Sequence, residues 1–174
     1  MVDRQHPVLV AACGNAMAGD DAFGPRVAEA LRGSAPPAVQ IVDLATKPAS
    51  LLDYLPGPEL LLIVDAAWDA NAPVARLVDM DWCDPDRPPL EHDAAISSHG
   101  LSLADDLVLA DRLGMLPKQV RLIACFIGSA QIGQPMQRAV CRQVPVAAAR
   151  VVAHAKTWLE QNHRAKDWVG RPHA

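Results

Sequence analysis

The chain has 174 residues, enough for one domain whose core needs no disulfide or metal staple. Hydrophobic residues make up 51% of it but aromatic ones only 4%, so an aliphatic core is expected, as in buried parallel strands and the helices packed on them. The net charge of −4, with its cations scattered, argues against nucleic acid as a partner, since phosphate binding calls for a basic face.

In chain order, Val8 to Cys13 is a continuous apolar run closed by Gly14-Asn15, which predicts a buried strand and a turn. A helix is expected from about Ala22, with Asp20 or Asp21 at its start and Pro25 in its first turn. Phe23, Val27, Ala30 and Leu31 would share its apolar face, and Gly33 with Pro36-Pro37 would end it. Val39 to Leu44 reads as a second strand, Ala49 to Tyr54 as a short helix, and Leu60 to Val64 as a third strand ending on Asp65. Val74 to Met80 is a fourth strand, and the connection from Asp65 is too short for a helical crossover. It should therefore lie antiparallel at an edge.

A polar loop then runs from Asp81 to Ser98. Ser102 and Asp105 resemble a capping box opening a helix to about Leu113, with Gly114 as its stop. Val120 to Phe126 is the fifth strand, and Pro145 is placed to begin the last helix. The alternation predicts an α/β fold: a mostly parallel five-stranded sheet, helices on both faces, one antiparallel edge strand. One domain over residues 1–162 and a flexible tail over 163–174 are expected. Cys13, Cys83, Cys125 and Cys141 form no C-x-x-C pair and read as reduced core thiols. No targeting pattern is visible in the first residues, and no apolar run nears the ~20 residues of a membrane helix. The expectation is a soluble cytoplasmic protein with no membrane partner.

Ligands in open α/β sheets collect at the carboxyl ends of the strands. Asp21 follows the turn after the first strand, Asp65 ends the third, and His99 precedes the Ser102 helix. Two carboxylates and an imidazole there would suit a divalent metal. Each residue also has an ordinary structural role open to it: a helix cap for Asp21, a strand-end acceptor for Asp65, a loop hydrogen bond for His99. Their convergence on one sheet edge is what favours a site. Gly14 to Gly19 has the glycine spacing of a phosphate loop, but Asp20-Asp21 stands where such a loop needs Lys and Ser or Thr. Asp43, at the end of the second strand, is where a ribose-binding acid would sit, which keeps a nucleotide site as a minor alternative. No G-x-S-x-G elbow exists, and Cys13 and Cys125 lie inside apolar runs, so nucleophilic catalysis is poorly supported.

Three segments in order carry a family resemblance: Val8 to Asn15 with Gly19-Asp20-Asp21-Ala22-Phe23-Gly24, then Leu61 to Ala66, then Ser97-Ser98-His99-Gly100-Leu101-Ser102-Leu103. With Leu113-Gly114 and Pro117, they resemble the maturation endopeptidases of nickel–iron hydrogenases over about residues 7 to 160. The resemblance implies a five-stranded twisted sheet and an aspartyl-type endopeptidase that removes a C-terminal extension from the hydrogenase large-subunit precursor. It implies that Asp21, Asp65 and His99 are the catalytic and metal-binding set, and that the metal is nickel already placed in the precursor. No organic cofactor is implied. The chain departs from the family pattern in two places. Ala12-Cys13-Gly14 stands for a Gly-x-Gly turn, and Phe126 to Gly133 lacks the carboxylate of a Pro-Glu-type segment. The second departure bears on substrate choice and leaves a non-catalytic metal-sensing chaperone or docking module for the same precursor as the alternative reading.

Overall fold

The computed structural model describes residues 6–45, 48–84 and 103–169. Strand β1 (Val8–Cys13) leads through a 3-10 turn, Gly19–Ala22, into helix α1 (Phe23–Leu31) and strand β2 (Val39–Ala45). A second 3-10 turn, Pro48–Tyr54, precedes β3 (Leu60–Ala67) and β4 (Leu77–Asp81). Helix α2 (Leu103–Arg112), strand β5 (Gln119–Phe126), a one-turn helix α3 (Arg138–Cys141) and the long α4 (Gln143–Val169) complete the described chain. The strand order is β2-β1-β3-β5-β4. β1 is parallel to β2 and β3, and β3 is parallel to β5. β4 is antiparallel to β5 at one edge, as its short connection predicts.

The pleat explains why the central strands are apolar throughout: alternate residues face opposite layers. Val8 and Val10 of β1, with Leu62, Val64 and Ile123, pack with Phe23, Val27 and Leu31 of α1 and Val151 and Ala155 of α4. Leu9 and Ala11, with Leu61, Ile63 and Leu122, pack with Leu51 and Leu55 and with Leu107 and Ala110 of α2. Two separate cores thus sandwich one sheet.

Several boundaries differ from the sequence reading for identifiable reasons. Ala75 and Arg76 already bond to Phe126 of β5, but Ala75 has a φ of 66° that interrupts the extended backbone, so regular β4 begins at Leu77, and Val74 is exposed. β3 runs on to Ala67, which puts Asp65 within the strand instead of at its tip. The buried stripe of α1 includes Ala28, and Ala30 faces outward. α4 starts at Gln143, with Pro145 in its first turn, and extends to Val169. No disulfide links the four cysteines, but only Cys13 and Cys125 are in the core, while Cys83 and Cys141 are exposed.

Two features fix the edge strand and the first turn. Asp79 of β4 accepts hydrogen bonds from Arg121 of β5 at 2.7 and 3.0 Å, and His154 Nε2 of α4 lies 2.8 Å from its other oxygen. Burial raises the Asp79 pKa, but these two partners and their charges outweigh it and hold the carboxyl below its usual range. Gly24 lies where α1 crosses the ends of β1 and β3. A Cβ there would overlap the Cys13 carbonyl oxygen and come within 2.9 Å of that of Val64. Glycine is what lets the helix approach this closely. Gly24→Ala should therefore cost about 3 kcal/mol of unfolding free energy, as overpacking does. Gly33→Ala, which meets nothing within 4 Å, should be close to neutral. Urea unfolding of both variants checks this, and equal midpoints would show that α1 can back away freely.

Candidate active site

Parallel pairing sets the geometry of the site. Because Ala12 of β1 lies opposite Val64 of β3, the turn leaving β1 emerges beside Asp65. Gly14 opens that turn with a φ of 122°, and its amide donates to Ala45 O at 3.0 Å. A side chain at Gly14 would overlap the Asp21 carbonyl, so the turn closes directly onto the Asp21 residue. Asn15 ties the loop at both ends. Its amide donates to Asp21 Oδ2 at 2.8 Å, its side-chain oxygen accepts from the Met17 amide at 2.9 Å, and its carbonyl accepts from the Ala18 amide. This is how the short Gly-Asn signal after an apolar strand aims a carboxylate.

Asp65 is buried, and Ala66 N donates to its Oδ1 at 2.8 Å. Burial pushes the Asp65 carboxyl up to about 7. The Ala66 amide opposes that shift, and the nearby charge of Asp21 adds to it. Asp21, half-buried, is also raised by burial, against the hydrogen bond from Asn15. The charge of Asp21 is thus close enough to act on Asp65.

The thiol of Cys13 is buried in β1 and held in its protonated form. Burial raises Cys13 well above the usual thiol range, and the charges of Asp65, Asp106, Asp43 and Asp21, in that order, push the same way. Those causes show two further carboxylates in range of the Cys13 thiol. Asp43 lies opposite Ala12 in the β1–β2 ladder, and its Oδ1 accepts from Ala45 N at 2.9 Å. Asp106 of α2 is fully buried, and neither of its oxygens has a hydrogen-bond partner among the described residues. The strand-end position of Asp43 was visible in the sequence, whereas Asp106 is one helical residue among many and carries no local signal. Asp20-Asp21, where a phosphate loop needs Lys and Ser or Thr, disfavours the nucleotide alternative.

Of the three expected site residues, the structure brings Asp21 and Asp65 together. His99 lies outside the described residues. Among the described residues, no three His, Cys, Asp or Glu side chains group closely enough to hold a metal ion.

The model of the HycI family, described as hydrogenase maturation protease, matches residues 25–154. The chain belongs to this family. It is accordingly a peptidase, and the matched span includes Asp65, while Asp21 lies just before it. The family member is 29% identical over 154 residues to the hydrogenase expression/formation protein HupD of Rhodobacter capsulatus, covering 87% of this chain and 72% of that protein. It is 34% identical over 119 residues to the hydrogenase 2 maturation protease of Escherichia coli K12, covering 67% of this chain and 70% of the relative. Among solved structures it is similar to the E. coli hydrogenase maturating endopeptidase HybD, with a TM-score of 0.75 and 28% identity over 86% of this chain and 92% of that one. That likeness includes the mostly parallel five-stranded sheet.

The raised Asp65 pKa has a consequence for stability. Between the ordinary carboxyl value of 3.8 and about 7, the folded protein keeps this proton while the unfolded chain has lost it. Stability therefore falls as pH rises through that window and levels off above it. Asp65→Asn keeps the acceptor for Ala66 N without the charge. Its advantage over the metal-free wild type should grow from pH 4 to 7, reaching on the order of 4 kcal/mol. Urea unfolding at pH 4.5, 6 and 8 in the presence of a chelator measures it. A difference independent of pH would mean that Asp65 is not held in a poorly solvated pocket.

Proposed function

We propose that this maturation protease is an endopeptidase that removes the C-terminal extension of a nickel–iron hydrogenase large-subunit precursor after nickel has been inserted. The observation that carries this reading is the paired carboxylates, Asp21 and Asp65, held at the carboxyl edge of the sheet in a hydrogenase maturation protease fold. Asp21, Asp65 and His99 would complete the coordination of nickel presented by the precursor, so the metal arrives as part of the substrate. A cation held there would polarise the scissile carbonyl or the attacking water. Asp65, whose carboxyl has a pKa near 7 in the metal-free protein, would give up that proton on taking the metal, because a ligating carboxylate must be ionised.

A protein substrate is also supported by the surface around the pair. Met17 in the turn after β1, Trp68 after β3 and Ile132 after β5 are exposed apolar side chains on loops at this same edge. Apolar groups beside a polar site are what a protein partner covers on docking. No helix among the described residues is long and apolar enough to cross a membrane, and we place the reaction in the cytoplasm.

Mass spectrometry of the host's large-subunit precursor, incubated with this protein with and without nickel loading, tests the reading. Loss of a C-terminal peptide is expected from the nickel-loaded precursor alone. Asp21→Asn and His99→Ala should each lower the rate at least about 100-fold, as loss of a group acting in the transition state does, with the fold retained. An intact nickel-loaded precursor that nonetheless binds the wild-type protein would shift the assignment to a metal-sensing docking module.

A further inference from the structure

Asp20, next to Asp21, has a different set of partners. It is 0% exposed, a burial that a carboxylate tolerates only when its charge is satisfied. Its Oδ2 accepts from Gly128 N at 3.1 Å, Ser129 N at 3.3 Å and Gln137 Nε2 at 2.8 Å, and its Oδ1 accepts from Gln137 N at 2.7 Å. All four donors belong to the segment after β5. The backbone adds two further bonds: Asp20 N donates to Ser129 O at 3.0 Å, and Gly133 N donates to Met17 O at 2.8 Å. A Cβ at Gly128 would lie 2.6 Å from Gln137 Nε2, so the glycine there is what admits this packing.

The clamp lies next to the reacting carboxylates. Asp20 and Asp21 share one 3-10 turn, and Asp21 is tied in turn to Asn15. Asp20 is fully buried with both oxygens bonded, so its carboxylate is not presented to a substrate, whereas Asp21 is only partly buried. The turn that carries Asp21 thus has one anchor in its own loop and a second, through Asp20, in a segment more than a hundred residues away in sequence.

We propose that Asp20 is a positioning residue of the protease site: by binding the 128–137 segment through four hydrogen bonds, it fixes the turn on which Asp21 is carried. The proposal rests on the peptidase reading for its effect on rate, but not for its effect on structure. Removing Asp20 should let the turn rotate about Gly19, which already has a φ of 55°, and Asp21 should lose its fixed direction.

The test uses Asp20→Asn and, as the milder change, Gln137→Ala, which removes one side-chain donor and leaves the backbone donors in place. With nickel-loaded precursor, at temperatures where circular dichroism shows each variant fully folded, kcat should fall about 10- to 100-fold for Asp20→Asn, the range typical of partners that orient a ligating group. For Gln137→Ala it should fall about 10-fold, and KM should stay within about 3-fold of wild type in both. Hydrogen exchange gives a second readout that needs no substrate: the Asn15 amide, bonded to Asp21, should lose protection in Gln137→Ala. A merely structural clamp would lower the melting temperature and leave kcat and the Asn15 amide unchanged in folded protein, and that result would overturn the proposal. If Asp20→Asn does not fold, Gln137→Ala decides alone. If the wild type itself leaves the nickel-loaded precursor intact, the peptidase reading fails, and the positioning role then stands or falls on the Asn15 amide.

Discussion

Parallel pairing of β1 with β3 is the constraint from which the site follows. Parallel strands deliver their carboxyl ends to one edge, so the loops that leave them meet there. The register that sets Ala12 against Val64 brings the turn after β1 to Asp65. Close contact between α1 and these strand ends, possible only with glycine at position 24, keeps that turn from swinging away. Apolar packing on both faces of the sheet supplies the stability, while the polar groups at its edge, above all Asp65, are held at some cost to it.

Two neighbouring acids show how environment divides chemical work. Asp20 is covered and fully bonded, so its charge is spent on structure. Asp21 receives a single amide bond and stays half-buried next to Asp65. In the sequence they are simply Asp-Asp after a glycine. Only the fold of a distant segment around Gly128 and Gln137 distinguishes them.

Much of the fold was legible because its strongest local signal is also its strongest physical force. Val8–Cys13 and Leu60–Val64 are uninterrupted apolar runs, which fits strands covered on both faces, and the short link after β3 called for an antiparallel edge. What escaped local reading depends on tertiary context. Ala30 is exposed although its spacing from Val27 would fit the apolar face, and the one-turn α3 at Arg138–Cys141 begins right after Gln137, whose amide is bonded to Asp20. In the same way, Asp21 and Asp65 could be placed at one edge from strand order alone. Asp106 could not, because nothing in a helix sequence says which distant thiol it will approach.

The strand order also dictates when the sheet can be completed. β4 is made before β5, yet among the described residues β5 is its sole strand neighbour, and β5 also fills the place beside β3. Until residue 126 has left the ribosome, β4 has no partner and one side of the central strand is bare. A sheet closed by insertion of its last strand depends on contacts far apart in sequence, which makes for slow folding and a period of exposed apolar edge. Nascent chains halted before β5 should therefore be the most dependent on chaperones, although Asp21, Asp65 and His99 have all been synthesised by then.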